Sequence, residues 1–260
     1  MANVTTLFSS SKANCTLIQA GGVNVLVDIG ASLKATKEAL LLRGVELGSI
    51  SAILITHEHS DHIKGLKALT SKFNIPVISS NKTLTALENA GCIGGMAVLK
   101  EINGEIAVND IIIKRFSVSH DSVDCGGYTF NTGNEKISVC TDTGILTNEI
   151  KENLLGSKAV VIESNHDLKM LNSGPYPPEL KLRIAGEKGH LSNNTCASLL
   201  PQLLKNGTDR FILAHLSENN NTPMLAVSAA TAALMDIGAK KDSDYLLSAA
   251  MPMGSVSQYF

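Results

Sequence analysis

The chain has 260 residues, a formal net charge of −2, and a composition of 44% hydrophobic and 18% charged residues. This length can bury a substantial core, and the composition excludes a disordered or fibrous protein. Aromatic residues make up only 4% and tryptophan is absent. The chain therefore has few side chains on which bases could stack, as they do in single-strand-binding proteins. Without a global basic surface, a polyanionic substrate would have to be attracted by local lysines and bound cations.

The cysteines and the N-terminus indicate a location. The five cysteines are scattered and never form a CxxC pair, which is typical of reduced thiols in the cytoplasm. The first residues lack the basic and apolar regions of a secretory signal, and no apolar run approaches the ~18 residues that a membrane helix needs. We therefore expect a cytoplasmic protein that does not insert into a membrane.

Strands and helices alternate in the first half of the chain. The segments Cys15–Ile18 and Asn24–Gly30, separated by the turn Ala20-Gly21-Gly22, predict a hairpin. A helix from Ser32 to Arg43 follows, which Gly44 ends. The next predicted elements are the strand Ala52–Ile55, the strand Ile75–Ile78 and the helix Lys82–Asn89.

The second half begins with strands and returns to alternation. The predicted strands are Glu105–Val108, Ile111–Val118, Gly127–Phe130, Ile137–Cys140, Ala159–Ile162, Phe211–Ala214 and Tyr245–Leu247. The predicted helices are Glu179–Glu187, Ser192–Leu204 and Pro223–Ile237. No internal repeat or linker divides the chain, so we expect one α/β domain, residues 1–260, of layered sheets and outer helices.

One stretch, Thr56-His57-Glu58-His59-Ser60-Asp61-His62, holds three histidines and two acids directly after an apolar strand. His57 and His59 are two residues apart, so on an extended backbone both imidazoles lie on the same side and can bind one ion. Asp61 and His62 follow as the chain turns toward a helix and can face a second ion. Imidazole and carboxylate ligands suit zinc, manganese or iron. A solvated loop without metal is the disfavoured alternative.

Later strand ends supply further candidate ligands. His120, Asp142 and His215 each follow a predicted strand, and Asp142 could bridge two ions because a carboxylate has two oxygens. Each of the three has an alternative role as a capping or hydrogen-bonding loop residue. The expected ligand groups are His57, His59 and His120 for the first ion, and Asp61, His62 and His215 for the second.

In this order, His57-x-His59-x-Asp61-His62, His120, Asp142 and His215 resemble the metal-binding signature of the metallo-β-lactamase superfamily. The resemblance spans nearly the whole chain. It implies an α/β fold of the four-layer αβ/βα sandwich type and two divalent metal ions, zinc, manganese or iron. It also implies that Asp28, at an early strand end, supports the metal loop from behind the ligands.

Departures from the wider superfamily narrow the expected activity. β-Lactamases commonly have a cysteine where Asp142 stands, and flavodiiron oxidases have a glutamate at the position of His59, so hydrolysis other than that of β-lactams is expected. Three segments are similar to the YycJ/WalJ-like branch, which is implicated in DNA exonuclease activity: Glu163–Asp167, Gly189–Asn193 and His215–Asn220. The motifs also resemble those of RNase Z. This sequence shows neither the longer exosite of RNase Z nor the inserted domain of β-CASP nucleases.

The resemblance implies a metal-dependent phosphodiesterase that acts as an exonuclease on DNA. In this hypothesis Asp61 orients the attacking hydroxide, and His190, held by Glu163, protonates the leaving oxygen or binds phosphate. A hydrolase of a small cyclic phosphodiester, thioester or lactone is the alternative, and a non-enzymatic metal-stabilised scaffold is a third hypothesis. The sequence leaves the oligomeric state open.

Four further residues are candidates for substrate binding: His166, Ser192, Asn193 and Asn219. Each has an alternative without substrate contact. His166 could be a surface histidine, and the other three could be caps and turns. For His190 the alternative is a loop residue that caps a helix.

Overall fold

The structure, a computed structural model, describes residues 2–260. The strands within this range are β1 (Ala2–Ser10), β2 (Ala13–Ala20), β3 (Val23–Val27), β4 (Ile50–Leu54), β5 (Pro76–Ser79), β6 (Val98–Glu101), β7 (Glu105–Val108), β8 (Ile111–Ser117), β9 (Gly126–Asn131), β10 (Lys136–Cys140), β11 (Ala159–Glu163), β12 (Arg210–Ala214), β13 (Leu246–Ala249) and β14 (Val256–Tyr259).

The α-helices connect these strands. They are α1 (Leu33–Leu41), α2 (Ser60–Ile63), α3 (Leu66–Thr70), α4 (Asn81–Asn89), α5 (Asn148–Leu154), α6 (Leu168–Ser173), α7 (Pro178–Ala185), α8 (Asn193–Lys205) and α9 (Pro223–Met235), with a short 3₁₀ helix at Leu47–Ser49.

Two mixed sheets form the centre of the fold. The first has the strand order β14-β1-β2-β3-β4-β5-β6, and the second has the order β13-β12-β11-β10-β9-β8-β7. β3 to β6 are parallel to one another, and so are β10 to β13. β9 is antiparallel to both β8 and β10, so β8 runs in the same direction as β10.

Three apolar clusters define four layers. One lies between the sheets and includes Val25, Leu54, Tyr128 and Val161. A second packs α1, α3 and α4 on the first sheet, and a third packs α5, α8 and α9 on the second. This is the expected αβ/βα sandwich.

Most predicted elements are confirmed to within a few residues. The turn of the β2–β3 hairpin has positive φ at Gly21 and Gly22, and Ser32 caps α1 through its side chain. β1, β6, β14, α5 and α6 were missed, because short or polar sequences such as Val98–Glu101 carry no clear period.

Strand direction positions the candidate ligands. Parallel strands end at the same edge of a sheet, and β3, β4, β8, β10, β11 and β12 all lead into loops that carry candidate residues. Asp28, Asp142 and His215 follow three of these strands with φ of 62°, 58° and 54°. A left-handed backbone is uncommon outside glycine and clusters at functional sites.

Candidate metal centre

The seven histidines of the chain gather at this edge: five lie in loops that follow strands, His62 lies in α2, and His190 lies in the loop between α7 and α8. Six of them pack ring against ring. Ring centroids of neighbouring histidines lie between 4.1 Å (His57 and His62) and 6.0 Å (His62 and His215) apart. Because imidazoles are seldom gathered in this way without a cation or a proton-transfer role, the edge is the candidate functional site.

Both ligand groups that the sequence predicts are assembled at this edge. His57, His59 and His120 each present a nitrogen within 4.8 Å of the others, and the same holds for the ligand atoms of Asp61, His62 and His215. The short helix α2 begins directly after His59 and turns Asp61 and His62 toward the second group.

Asp142 lies between the two groups. Its Oδ2 is 3.5 Å from His62 Nε2, and its Oδ1 is 4.0 Å from His120 Nε2. The carboxylate is therefore placed where a bridging ligand would have to be. Burial by itself would raise the pKa of Asp142, but the surrounding histidines, His215 and His62 foremost, hold it well below its usual range.

Unpartnered buried atoms test whether these residues fit a metal. Within residues 2–260, His57 Nε2, His215 Nε2 and Asp142 Oδ2 are buried without a hydrogen-bond partner. Such atoms are expensive to bury unless something binds them. All three point into the candidate site and are the donor types that hold divalent zinc, manganese or iron. The donor set therefore suits divalent metal binding.

Asp28 and Thr56 orient His62 from behind. Asp28 Oδ2 is 2.8 Å from His62 Nδ1, and Asp28 also accepts from the backbone N and Oγ1 of Thr56. A proton on Nδ1 satisfies this contact and leaves Nε2 as the free ligand atom. The supporting role expected for Asp28 matches this geometry.

Glu163 supports the opposite side of the site. It is fully buried, and its Oε1 lies 2.8 Å from His190 Nδ1 and 2.7 Å from His215 Nδ1. Its Oε2 accepts from the backbone N of Thr143 and Leu191. Burial alone would raise the pKa of Glu163, but the two histidines lower it to about 2. Glu163 is thus an anionic acceptor that fixes the ring orientation of both histidines.

His190 is the more exposed histidine of this pair. Its side chain is 21% exposed, against 3% for His215. Its Nδ1 is engaged by Glu163, which leaves Nε2 for another group. Its side chain does not cap α8, because that helix is capped by Ser192, whose Oγ accepts from Thr195 N.

The predicted substrate-binding residues have different surroundings. Asn193 is buried and bonded to Ser164 Oγ and to the amide of Asn221, so its side chain belongs to an internal polar network. Ser192 is a buried cap. Asn219 is exposed, and its Nδ2 donates to Tyr176 Oη. For Ser192 and Asn193 these contacts are those of the capping and turn alternative.

His166 is not a surface residue, so that alternative is wrong. It is 1% exposed, and within residues 2–260 neither ring nitrogen has a hydrogen-bond partner. Burial lowers its pKa, and Glu163 and His190 are close enough to affect its charge. A buried imidazole with two unsatisfied nitrogens needs a polar partner beyond the side chains around it.

Sequence reasoning missed residues of the β1–β2 hairpin. Ser9 Oγ accepts from the backbone N of His215, and Asn14 Nδ2 lies 3.1 Å from Asp61 Oδ2. Gly30 was also missed: a Cβ there would lie 1.6 Å from the carbonyl oxygen of Asp61, so only glycine permits this approach. The mostly polar stretch Ser9–Asn14, which covers the end of β1 and the start of β2, was the available signal.

Fold and site together define a hydrolase-type metal centre of the metallo-β-lactamase fold, and comparison with known proteins agrees. The family model described as "Beta-lactamase superfamily domain" matches residues 23–216. The chain therefore belongs to the β-lactamase superfamily. No helix within residues 2–260 is long and apolar enough to cross a membrane.

Similar proteins lie within the expected branch. The chain is 36% identical to exodeoxyribonuclease YycJ of Bacillus anthracis, over 89% of each chain. It is 35% identical to exodeoxyribonuclease WalJ of Streptococcus pneumoniae, over 85% of this chain and 83% of that one. Among solved structures, the metallo-β-lactamase fold protein YhfI from Bacillus subtilis superposes with a TM-score of 0.73 at 13% identity, covering 98% and 99% of the two chains.

Proposed function

We propose that the chain acts as one hydrolase domain that cleaves phosphodiester bonds at the ends of DNA and depends on two divalent metal ions. The observation that carries this proposal is the pair of ligand groups joined by Asp142, with buried ligand atoms that no protein group satisfies. The relatives named exodeoxyribonuclease support DNA as the substrate, since they match across most of the chain.

The ligand roles follow from the two groups. His57, His59 and His120 would hold one ion, Asp61, His62 and His215 the other, and Asp142 would bridge them. When bound, two such ions neutralise charge on the phosphate and lower the pKa of water to about 7. Zinc, manganese and iron all accept these ligands.

His190 is the residue we assign to proton transfer. Glu163 accepts from Nδ1 and thereby holds the ring in one orientation. In the imidazolium form, which carries a proton on each nitrogen, Nε2 donates its proton to the oxygen that leaves phosphorus, and His190 is left neutral with its remaining proton on Nδ1. The partial exposure of His190 gives substrate access to this nitrogen. Without this proton the leaving oxygen would depart as an alkoxide, which is far less favourable.

Asp61 has a second role besides ligation. Its carboxylate is 21% exposed and lies beside His62 Nε2 and His215 Nε2, at 3.3 Å and 3.8 Å. One oxygen can hold the ion while the other accepts a hydrogen bond from the attacking water and orients it. We keep His166 and Asn219 as substrate-contacting residues and assign Ser192 and Asn193 to support of the loops.

Linear and circular DNA distinguish the proposed activity. Protein loaded with zinc or manganese should release terminal nucleotides from end-labelled linear duplex and leave covalently closed circles intact. Asp142→Ala should abolish the release, whereas Asp236→Ala, an exposed residue at the end of α9, should not. Cleavage of closed circles would contradict an exonuclease.

The small-substrate alternative has its own outcome. If metal-loaded protein spares DNA but hydrolyses a cyclic phosphodiester, thioester or lactone, the same metal centre serves a different substrate. In that case Asp142→Ala should again abolish turnover, because the ligands are common to both reactions.

A further inference from the structure

The tip of the β1–β2 hairpin brings one amide into the second ligand group. Asn14 is buried, and its Nδ2 lies 2.9 Å from the carbonyl oxygen of Ser10, 3.1 Å from Asp61 Oδ2 and 3.1 Å from His62 Nε2. The backbone oxygen of Asn14 accepts from Gly30 N at 2.8 Å, so the residue is fixed at both ends. The hairpin is thereby joined to two candidate ligands.

The surroundings determine which way the amide faces. The carbonyl of Ser10 and the carboxylate of Asp61 are both acceptors. The amide oxygen in this position would be repelled by both. The NH₂ group of Asn14 therefore faces them, and its two N–H groups donate to Ser10 and to Asp61.

The hydrogen bond from Asn14 Nδ2 to Asp61 Oδ2 links this amide to ligation. This contact fixes one carboxylate oxygen and so limits the rotation of the other. None of the three Nδ2 contacts involves the group of His57, His59 and His120.

We infer that Asn14 is a positioning residue for the second metal site and sets the affinity of that site without affecting the first. The inference rests on the proposed two-ion centre. Residues that hold a ligand in this manner typically change metal affinity 10- to 100-fold when they are removed. We therefore expect Asn14→Ala to weaken the second binding constant by about that factor and to leave the first unchanged.

An opposite change is expected for an isosteric acid. Asn14→Asp removes the donors and places a second carboxylate against Asp61, so the metal-free protein should melt at a lower temperature than the parent. A bound cation would neutralise the added charge, so the rise in melting temperature on adding zinc should exceed that of the parent. For Asn14→Ala the rise should be smaller than that of the parent.

The test has two measurements on the full chain. Calorimetric titration with zinc gives the two binding constants, and thermal melting with and without zinc gives the zinc-dependent shift in melting temperature. Asn24→Ala, at an exposed asparagine contact in the same sheet, is the matched control and should behave as the parent does. The inference is supported if the two Asn14 variants change the zinc-dependent melting shift in opposite directions.

Four results would overturn it. If both variants melt lower but keep the two binding constants of the parent, Asn14 has a structural role only. If Asn14→Ala weakens both constants equally, the effect is not specific to the second site. If the parent itself binds a single zinc ion, the inference fails together with the two-ion proposal. If the parent binds two zinc ions and both variants keep its binding constants and its melting shift, the inference fails and the two-ion proposal stands.

Discussion

Glu163→Gln tests the assignment of the acceptor that holds His190 and His215. Each carboxylate oxygen accepts two N–H groups: Oε1 from the two histidines, and Oε2 from the backbone N of Thr143 and Leu191. Glutamine has the same shape with one acceptor oxygen and one NH₂ group. The backbone N–H groups cannot lose their protons, so the amide oxygen should face them and the NH₂ group should face the histidines.

The histidines then have to change tautomer. To accept from NH₂, His215 must move its proton from Nδ1 to Nε2, which is its proposed ligand atom. Ion affinity at the second site should therefore fall about 10- to 100-fold. Charge-assisted hydrogen bonds contribute about 1 kcal/mol more than neutral ones, so four bonds set an upper limit near 4 kcal/mol. Relief of a buried charge offsets part of this, and we expect a loss of about 2 kcal/mol in unfolding free energy.

Chelator competition gives the ion affinity, urea denaturation gives the stability, and ¹⁵N shifts of the imidazoles give the tautomer. Glu149→Gln is the matched control, because within residues 2–260 the carboxylate of this exposed glutamate accepts a single backbone bond, from Ser117 N. A Glu163→Gln protein that binds ions as the parent does, with the proton of His215 still on Nδ1, would refute the reasoning.

Three other substitutions separate support, catalysis and structure. Gly30→Ala should destabilise the fold by about 3 kcal/mol in urea denaturation, since the new Cβ meets the Asp61 backbone. Gly48→Ala should be near neutral, because a Cβ added there has no neighbouring atom within 4 Å. Equal effects of the two substitutions would contradict this reasoning. His190→Ala should lower turnover about 100-fold at unchanged metal content, and loss of metal instead would show that it is a ligand. Asn193→Ala should lower the urea midpoint by breaking the internal network while KM stays constant, and a raised KM at unchanged stability would restore its proposed substrate contact.

The sequence predicted the strand-end ligands well because histidine and aspartate at the ends of apolar strands are a local signal. His57 to His62 are adjacent in sequence, and His120, Asp142 and His215 each follow a clear strand. Strand direction brings the loops of each sheet to one edge of that sheet, and the packing of the two sheets places the two edges side by side. The two expected ligand groups are assembled in that way.

The sequence did not predict contacts between residues that are far apart in the chain and belong to no recognisable motif. Asn14 meets Asp61 only because β1 and β2 form a hairpin beside the metal loop, and β1 itself carries no alternating pattern that marks it as a strand. Gly30 contacts Asp61 backbone to backbone, which leaves no trace in side-chain chemistry. Ser192 and Asn193 show the opposite error, in which a polar residue near the site is mistaken for a substrate contact. Ser192 caps α8, and Asn193 forms internal hydrogen bonds.

The central claim is that two ions held by this cluster enable the chain to cleave DNA from its ends. The most direct measurement follows bound zinc or manganese per chain and release of terminal nucleotides in one titration of metal-free protein. We predict that release appears as the second ion binds and is absent from Asp142→Ala at any ion concentration. Equal release from metal-free protein, or from Asp142→Ala, would contradict the account.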